Sequence, residues 1–140
     1  QKVEEAIIHY KMAIKLNPNY SKTHYNLGRA LVAMHETEEA ISHYKMAIKL
    51  SPDFAEAHYN LGIVLFNAKM TEEAINFYKE AIRIQPDFAL AHNNLGNALF
   101  QKGAIKEAIG HYREALRLEP GLVSIQKNLE IALRRSEELE

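Results

Sequence analysis

An all-α solenoid of stacked helix pairs is the fold this sequence predicts, on three observations. The first is a register. Asn-Leu-Gly at 26–28 recurs at 60–62 and 94–96, and Glu-Ala-Ile starts at Glu5, Glu39, Glu73 and Glu107. Tyr10, Tyr44, Tyr78 and Tyr112 keep step, as do Pro18, Pro52, Pro86 and Pro120, and every interval is 34 residues. A fixed period of this size marks supersecondary units that bury their apolar faces on one another. The second observation is that apolar residues within each unit fall at spacings of three and four, the period of a helix. The third is the proline near the end of each unit. It cannot continue a helix, and it disfavours helical geometry in the residue before it.

Taken in order, residues 1–20 form a half unit with one helix, 3–16, whose stripe is Val3, Ala6, Ile7, Tyr10, Ala13 and Ile14. Residues 21–54, 55–88 and 89–122 are whole units of two helices each, predicted at 21–35 and 38–50, 55–68 and 72–84, and 89–102 and 106–118. No strand is expected. Thr37, Asp53, Thr71 and Asp87 stand where N-caps belong, and Glu38-Glu39 and Glu72-Glu73 suit the first turns that follow. Gly103 fits a left-handed residue at the inner turn of its unit. His35 and Lys69 hold that place in the other two, which predicts looser or mildly strained turns.

Residues 123–140 begin another first helix, 123–138, with Ile125, Leu129, Ala132 and Leu133 as its stripe. Gly28, Gly62 and Gly96 are costly inside a helix, by roughly 1 kcal/mol relative to Ala, so close packing is expected against each. Glu130 fills the fourth place of that column, which reads as a C-terminal capping helix with nothing packed there. The front helix keeps its full apolar set, so its own first helix is expected upstream in a longer parent chain. Without that helix, residues 3–16 are expected to be sticky and to drive end-to-end self-association.

Composition narrows the function classes. A chain of 140 residues with 47% apolar and 25% charged residues has the make-up of one globular domain. A net charge of −1 gives no reason to expect a nucleic-acid partner or an anionic membrane surface. No apolar run is long enough for membrane insertion. With no cysteine there are no disulfides and no thiol chemistry, and the redox compartment is unreadable. A cytoplasmic location is only the default.

The matched columns Leu27-Gly28, Ala40, Tyr44, Ala47 and Pro52, with their copies in the next two units, resemble the tetratricopeptide repeat (TPR). His24, His58 and His92 replace that family's usual Trp, and Leu31, Leu65 and Leu99 its usual Tyr. The resemblance covers essentially the whole chain. It implies a right-handed superhelix with first helices lining a concave face and second helices outside. It also implies a binding module for a protein or peptide, not an enzyme, and without cofactor. Asn-Leu-Gly in every unit is most similar to the repeats attached to O-linked N-acetylglucosamine transferases, and similar also to the repeat tails of bacterial membrane glycosyltransferases. Alternative readings are therefore a substrate-selecting or assembly arm of a larger enzyme, or a self-assembling scaffold.

Catalytic and metal motifs are absent. His24, His58 and His92 form one column and His9, His43 and His111 another, with members roughly 10 Å apart at ordinary helix packing distances. One zinc ion needs its nitrogens about 2.0–2.1 Å from a single point, so neither column makes a site. His35-Glu36 begins like a zinc-protease motif, but Glu39 stands where the second His belongs. The family's clamp for chaperone C-terminal tails would place its first-repeat Lys and Asn at Tyr25 and Arg29 and its third-repeat Lys and Arg at Leu90 and Asn94, and only its second-repeat Asn is matched, by Asn60.

Four asparagines remain: Asn26, Asn60, Asn94 and Asn128, each one residue before a core Leu. Asn is a mediocre helix former because its side chain competes for the backbone. Two explanations stand side by side. One is inheritance from an ancestral repeat, with hydrogen bonds between neighbouring helices. The other is a ladder of amides for the main chain of an extended peptide, as the resemblance to the glycosyltransferase repeats implies. Around the ladder the expected groove residues are Tyr25, Arg29, Tyr59, Phe66, Asn97, Phe100 and Lys127. Tyr59, Phe66 and Phe100 are candidate anchors, and Tyr25 and Tyr59 alternatively pack between repeats. The wall is slightly basic, which favours an acidic or carboxylate-ended ligand.

Overall fold

The computed structural model describes residues 2–139, and among them the chain forms helices joined by short turns, with no strand. In order these are α1 (Lys2–Leu16), α2 (Ser21–Ala33), α3 (Thr37–Leu50), α4 (Ala55–Asn67), α5 (Thr71–Ile84), α6 (Ala89–Gln101), α7 (Ile105–Leu118) and α8 (Val123–Glu137). Each expected helix is present, with ends shifted by one or two residues. α2 stops at Ala33 because the next residues are drawn into the inner turn.

Those inner turns share one design. The amide of His35 bonds the Val32 carbonyl and that of Glu36 the Leu31 carbonyl. The pattern repeats at Lys69 and Met70, and at Gly103 and Ala104. This is the Schellman closure, which needs a left-handed residue after the helix. The φ angles are 62° at His35, 65° at Lys69 and 87° at Gly103. All three turns are thus equally tight, and only the two lacking glycine carry strain. The expected side-chain caps are not used. Thr37 and Thr71 lie inside α3 and α5, Asp53 and Asp87 lie before the caps, and Glu36, Phe54, Met70 and Phe88 take the N-cap position without a side-chain bond. The closure already delivers the chain to the next helix, where the Glu36 carbonyl accepts from the Ala40 amide.

The core is the repeating column set. Leu27, Leu61 and Leu95, Ala40, Ala74 and Ala108, and Tyr44, Tyr78 and Tyr112 are all buried. Burying each such Leu contributes about 1.5–3 kcal/mol. The column glycines face those tyrosines across the helix pair. A Cβ on Gly28 would lie 2.8 Å from the Tyr44 ring, and on Gly62 or Gly96 only 2.6 Å from Tyr78 or Tyr112. Close approach of two helices therefore requires glycine here. Glu130, their counterpart on α8, is exposed.

Curvature follows from which helices meet. The successive first helices α2, α4, α6 and α8 touch one another, whereas α1, α3, α5 and α7 touch only first helices. The first helices therefore line the inside of a right-handed superhelix, and the second helices lie outside it.

Candidate functional site: the inner wall

Residues of α2, α4, α6 and α8 that point away from the core form the inner wall, and the asparagine column runs along it. Asn60 Nδ2 donates to the Tyr25 hydroxyl at 2.8 Å, and Asn94 Nδ2 to the Tyr59 hydroxyl at 3.2 Å. Each tyrosine is held in turn by the next repeat's cap residue. Tyr25 lies 4.7 Å from Phe54 and Tyr59 4.7 Å from Phe88, ring centre to ring centre. Burial pushes both phenol pKa values up from their usual range. Tyr25 and Tyr59 thus pack between repeats and orient the ladder. Arg29 stacks over the Tyr25 ring at 5.8 Å.

The wall changes character at its C-terminal end. Asn93 takes the place of Tyr25 and Tyr59 in the column, and an amide network replaces the phenol contacts. Asn128 Nδ2 donates to Asn93 Oδ1 at 3.0 Å and to Asn97 Oδ1 at 3.2 Å. Asn97 Oδ1 also accepts from the Tyr112 hydroxyl at 2.8 Å, and Asn93 Nδ2 donates to Asn94 Oδ1 at 3.1 Å. Asn97, Phe100, Tyr112, Asn128 and Ile131 enclose a cavity of 220 Å³. Tyr112 was missed as a wall residue because its column belongs to the core. The Tyr78 phenol also meets an amide, that of Asn94, but Tyr112 finds its partner one turn further along, because Asn97 stands where Arg29 and Ile63 stand elsewhere.

At the opposite end Asn26 makes no side-chain hydrogen bond among the described residues. With Arg29 and Tyr10 it borders a cavity of 320 Å³ between α1 and α2. Phe66 is half-buried against the core, and Lys127 is exposed on α8.

The histidines serve structure. Nε2 of His24, His58 and His92 meets the carbonyl of Pro18, Pro52 and Pro86 at 2.8, 2.8 and 3.0 Å. A carbonyl only accepts, so each Nε2 carries the proton and ties its helix to the preceding turn. Gln126 takes the same role on Pro120 at 3.1 Å. Nδ1 of His24 then accepts from Nδ1 of His43 at 3.0 Å, and His92 from His111 at 3.1 Å. The two histidine columns therefore meet in pairs, an arrangement the spacing within each column did not reveal. In the middle repeat Phe77 replaces the second imidazole, and His58 Nδ1 is buried without a partner among the described residues. No group of three or more metal-ligating side chains occurs among the described residues.

Family models called TPR repeat match residues 1–35, 28–68 and 71–103, and the tetratricopeptide repeat model matches 89–122. The chain belongs to the tetratricopeptide repeat family. TPR proteins are protein-interaction modules. Among solved structures, one of MamA is 27% identical over 96% of this chain and 79% of its own, with a TM-score of 0.91. MamA 41-end from Desulfovibrio magneticus RS-1 is 24% identical over 96% and 76%, with a TM-score of 0.89. YrrB, described as a TPR protein with an unusual peptide-binding site, is 20% identical over 97% and 70%, with a TM-score of 0.85. The latter two share the TPR fold with this chain. Comparison with curated proteins gave no match. No helix among the described residues is long and apolar enough to cross a membrane.

Proposed function

We propose that this TPR chain is a non-catalytic module that binds an extended peptide along its inner wall, with the asparagine column as the main-chain contact. The observation that supports this most is the orientation of the amides. Asn60 and Asn94 spend an Nδ2 hydrogen on a tyrosine of the preceding repeat. Asn60 keeps its Oδ1 and a second Nδ2 hydrogen, and Asn94 keeps further bonding capacity, for a ligand. Hydrogen bonds between repeats thus do not compete with the binding role; they hold the amides still for it. Successive ladder members stand roughly 10 Å apart, about three residues of extended chain. Side-chain selection would fall to Phe66, Phe100 and the basic groups Arg29 and Lys127.

The test is a screen of arrayed extended peptides against the intact chain, followed by the variant with Ala at 26, 60, 94 and 128. Each lost amide contact costs about 1 kcal/mol, so affinity for a selected peptide should fall by about three orders of magnitude. Tyr25→Phe with Tyr59→Phe separates the roles. It removes the bonds between repeats but keeps the amides, and should weaken binding by less than about tenfold. Equal losses in the two variants would make the ladder purely structural.

A second reading concerns α1. Ala13 is exposed while its counterparts Ala47, Ala81 and Ala115 are fully buried, and Ile8, Met12 and Leu16 are also exposed. We propose that this face pairs two copies of the chain. Head-to-tail joining of α8 onto α1 would set Glu130 against Tyr10, where the repeat uses glycine, so a front-to-front pair is the form expected. Sedimentation of Met12→Glu with Leu16→Glu beside the parent tests this: the parent should dimerise and the variant should not. A parent that stays monomeric at high concentration contradicts it.

A further inference from the structure

We infer that the C-terminal end of the wall is a specificity subsite for a bulky apolar side chain adjoining a carboxylate. This rests on the peptide-groove reading and assigns it a ligand chemistry. Three observations on α6 and α8 carry it.

The first is the unspent capacity of the amide network. Both hydrogens of Asn128 Nδ2 are committed, to Asn93 and Asn97, which leaves Asn128 Oδ1 as an open acceptor. Both lone pairs of Asn97 Oδ1 are committed, to Tyr112 and Asn128, which leaves Asn97 Nδ2 as an open donor. One donor and one acceptor, side by side on facing helices, complement the C=O and N–H of a peptide chain. Neither amide can rotate without breaking bonds it already makes.

The second is shape. The 220 Å³ cavity beside these amides has Phe100 and Ile131 as its apolar walls. Ile131 is 53% exposed, so its side chain is open to a ligand. A second cavity of 260 Å³ shares Phe100 and Ile131 and continues toward Arg134 and Arg135. Together they form one trough, polar at the amides, apolar in the middle and charged at the far end, where Glu138 lies beside the two arginines.

The third is charge. Arg135 is engaged by Glu138 at 2.9 Å. Arg134 has no ion pair among the described residues, so its guanidinium is free for a carboxylate, which it can hold with two parallel bonds. A chain whose peptide group sits on Asn97 and Asn128 places the adjoining side chain between Phe100 and Ile131. A carboxylate on the next residue then reaches Arg134. An acidic side chain and a free C-terminus supply the same group.

The probes are acetyl-Gly-Gly-Leu-Glu-Gly-Gly-amide, its Leu→Ala and Glu→Gln counterparts, and acetyl-Gly-Gly-Gly-Leu as the free acid. They are titrated into the intact chain while the side-chain amide resonances of the asparagines are followed. The Leu-Glu peptide should shift Asn97 and Asn128, and each counterpart should bind about tenfold more weakly. Tighter binding of the free acid than of the Leu-Glu peptide would identify a chain terminus as the source of the carboxylate, and the reverse an internal acidic residue. Arg134→Gln should erase the preference for Glu over Gln, and Ile131→Ser the preference for Leu over Ala. Asn97→Asp keeps the internal acceptor but removes the open donor, and should weaken all the probes. Shifts at Asn26 and Asn60 with none at Asn97 and Asn128 overturn this inference and leave the groove reading standing. No response from any ladder asparagine overturns it as well. The groove reading then falls only if the peptides selected from the array also leave all four unmoved.

Discussion

The two ends of the inner wall are built from the same columns and behave differently. At the N-terminal end Asn26 makes no side-chain hydrogen bond among the described residues, Arg29 lies on Tyr25, and the neighbouring turn holds His35 in a left-handed conformation. At the C-terminal end Asn93, Asn94, Asn97, Asn128 and Tyr112 lock one another, and the turn has glycine. The difference teaches where organisation for binding is already built. A side chain held in place before binding loses less freedom on contact, so the α6–α8 end should contribute more affinity per amide than the α2 end.

The sharpest way to break this comparison is Gly96→Ala. Its Cβ would meet the Tyr112 ring at 2.6 Å, against 2.8 Å at Tyr44 for Gly28→Ala. Overpacking of this kind costs about 1–3 kcal/mol, seen as a lower denaturation midpoint in both variants. Only Gly96→Ala should also detach the Tyr112 hydroxyl from Asn97. Loss of that bond should shift the Asn97 side-chain amide resonances, which Gly28→Ala should leave unmoved. Gly110→Ala is the control, with nothing within 4 Å of the new methyl, and should stabilise by about 0.5–1 kcal/mol.

Next in size are the asparagines. Asn128→Ala strips a donor from two oxygens and should cost about 1 kcal/mol of stability. Asn26→Ala removes no bond among the described residues and should be neutral or slightly stabilising, since Ala is the better helix former. Equal costs in urea unfolding would erase the contrast between the ends.

How far the sequence disclosed this depended on whether a feature repeats. The 34-residue columns gave the helix order, the close packing at the three glycines and the left-handed turn at Gly103, because each is local or recurs in register. That the tyrosines face those glycines, and that the turns at His35 and Lys69 are as tight as the one at Gly103, came from the structure. The asparagine column was legible as a column, but its partners were not. Asn60 and Asn94 reach back to Tyr25 and Tyr59 one repeat earlier, a contact that depends on how the repeats stack. The Asn97–Tyr112 bond lay deeper still, since it exists in one repeat only. The caps expected at Thr37 and Thr71 failed for the opposite reason. Composition suited a cap there, but the Schellman turn had already set the path of the chain.

The turns offer a smaller test. His35→Gly and Lys69→Gly relieve φ angles of 62° and 65°. Each should gain about 1 kcal/mol, raising the thermal midpoint and making the N-terminal turns resemble the one at Gly103.

Smallest is the pH response, which should be alike at both ends and missing from the middle. Burial, and then the facing His24 or His92, lower the pKa of His43 and His111. Glu39 opposes the shift and Lys11 adds to it at His43; at His111 Glu107 and Glu114 oppose and Lys79 adds. The folded state thus binds fewer protons than the unfolded chain, whose histidines titrate near 6.5. Stability is full above about pH 6.5 and declines as pH falls through the depressed values. His43→Phe and His111→Phe should each flatten that decline, and Phe77→His, by giving His58 Nδ1 a partner, should steepen it. Urea midpoints at pH 7.5 and 5.5 measure it.

The central claim is that the asparagine column holds the main chain of an extended ligand. A crystal structure of the chain with a peptide selected from the array tests it most directly. The account predicts peptide N–H and C=O groups within hydrogen-bonding distance of Asn60, Asn94, Asn97 and Asn128. A ligand seated on the outer helices, or one crossing the inner wall without touching any of these amides, would contradict it.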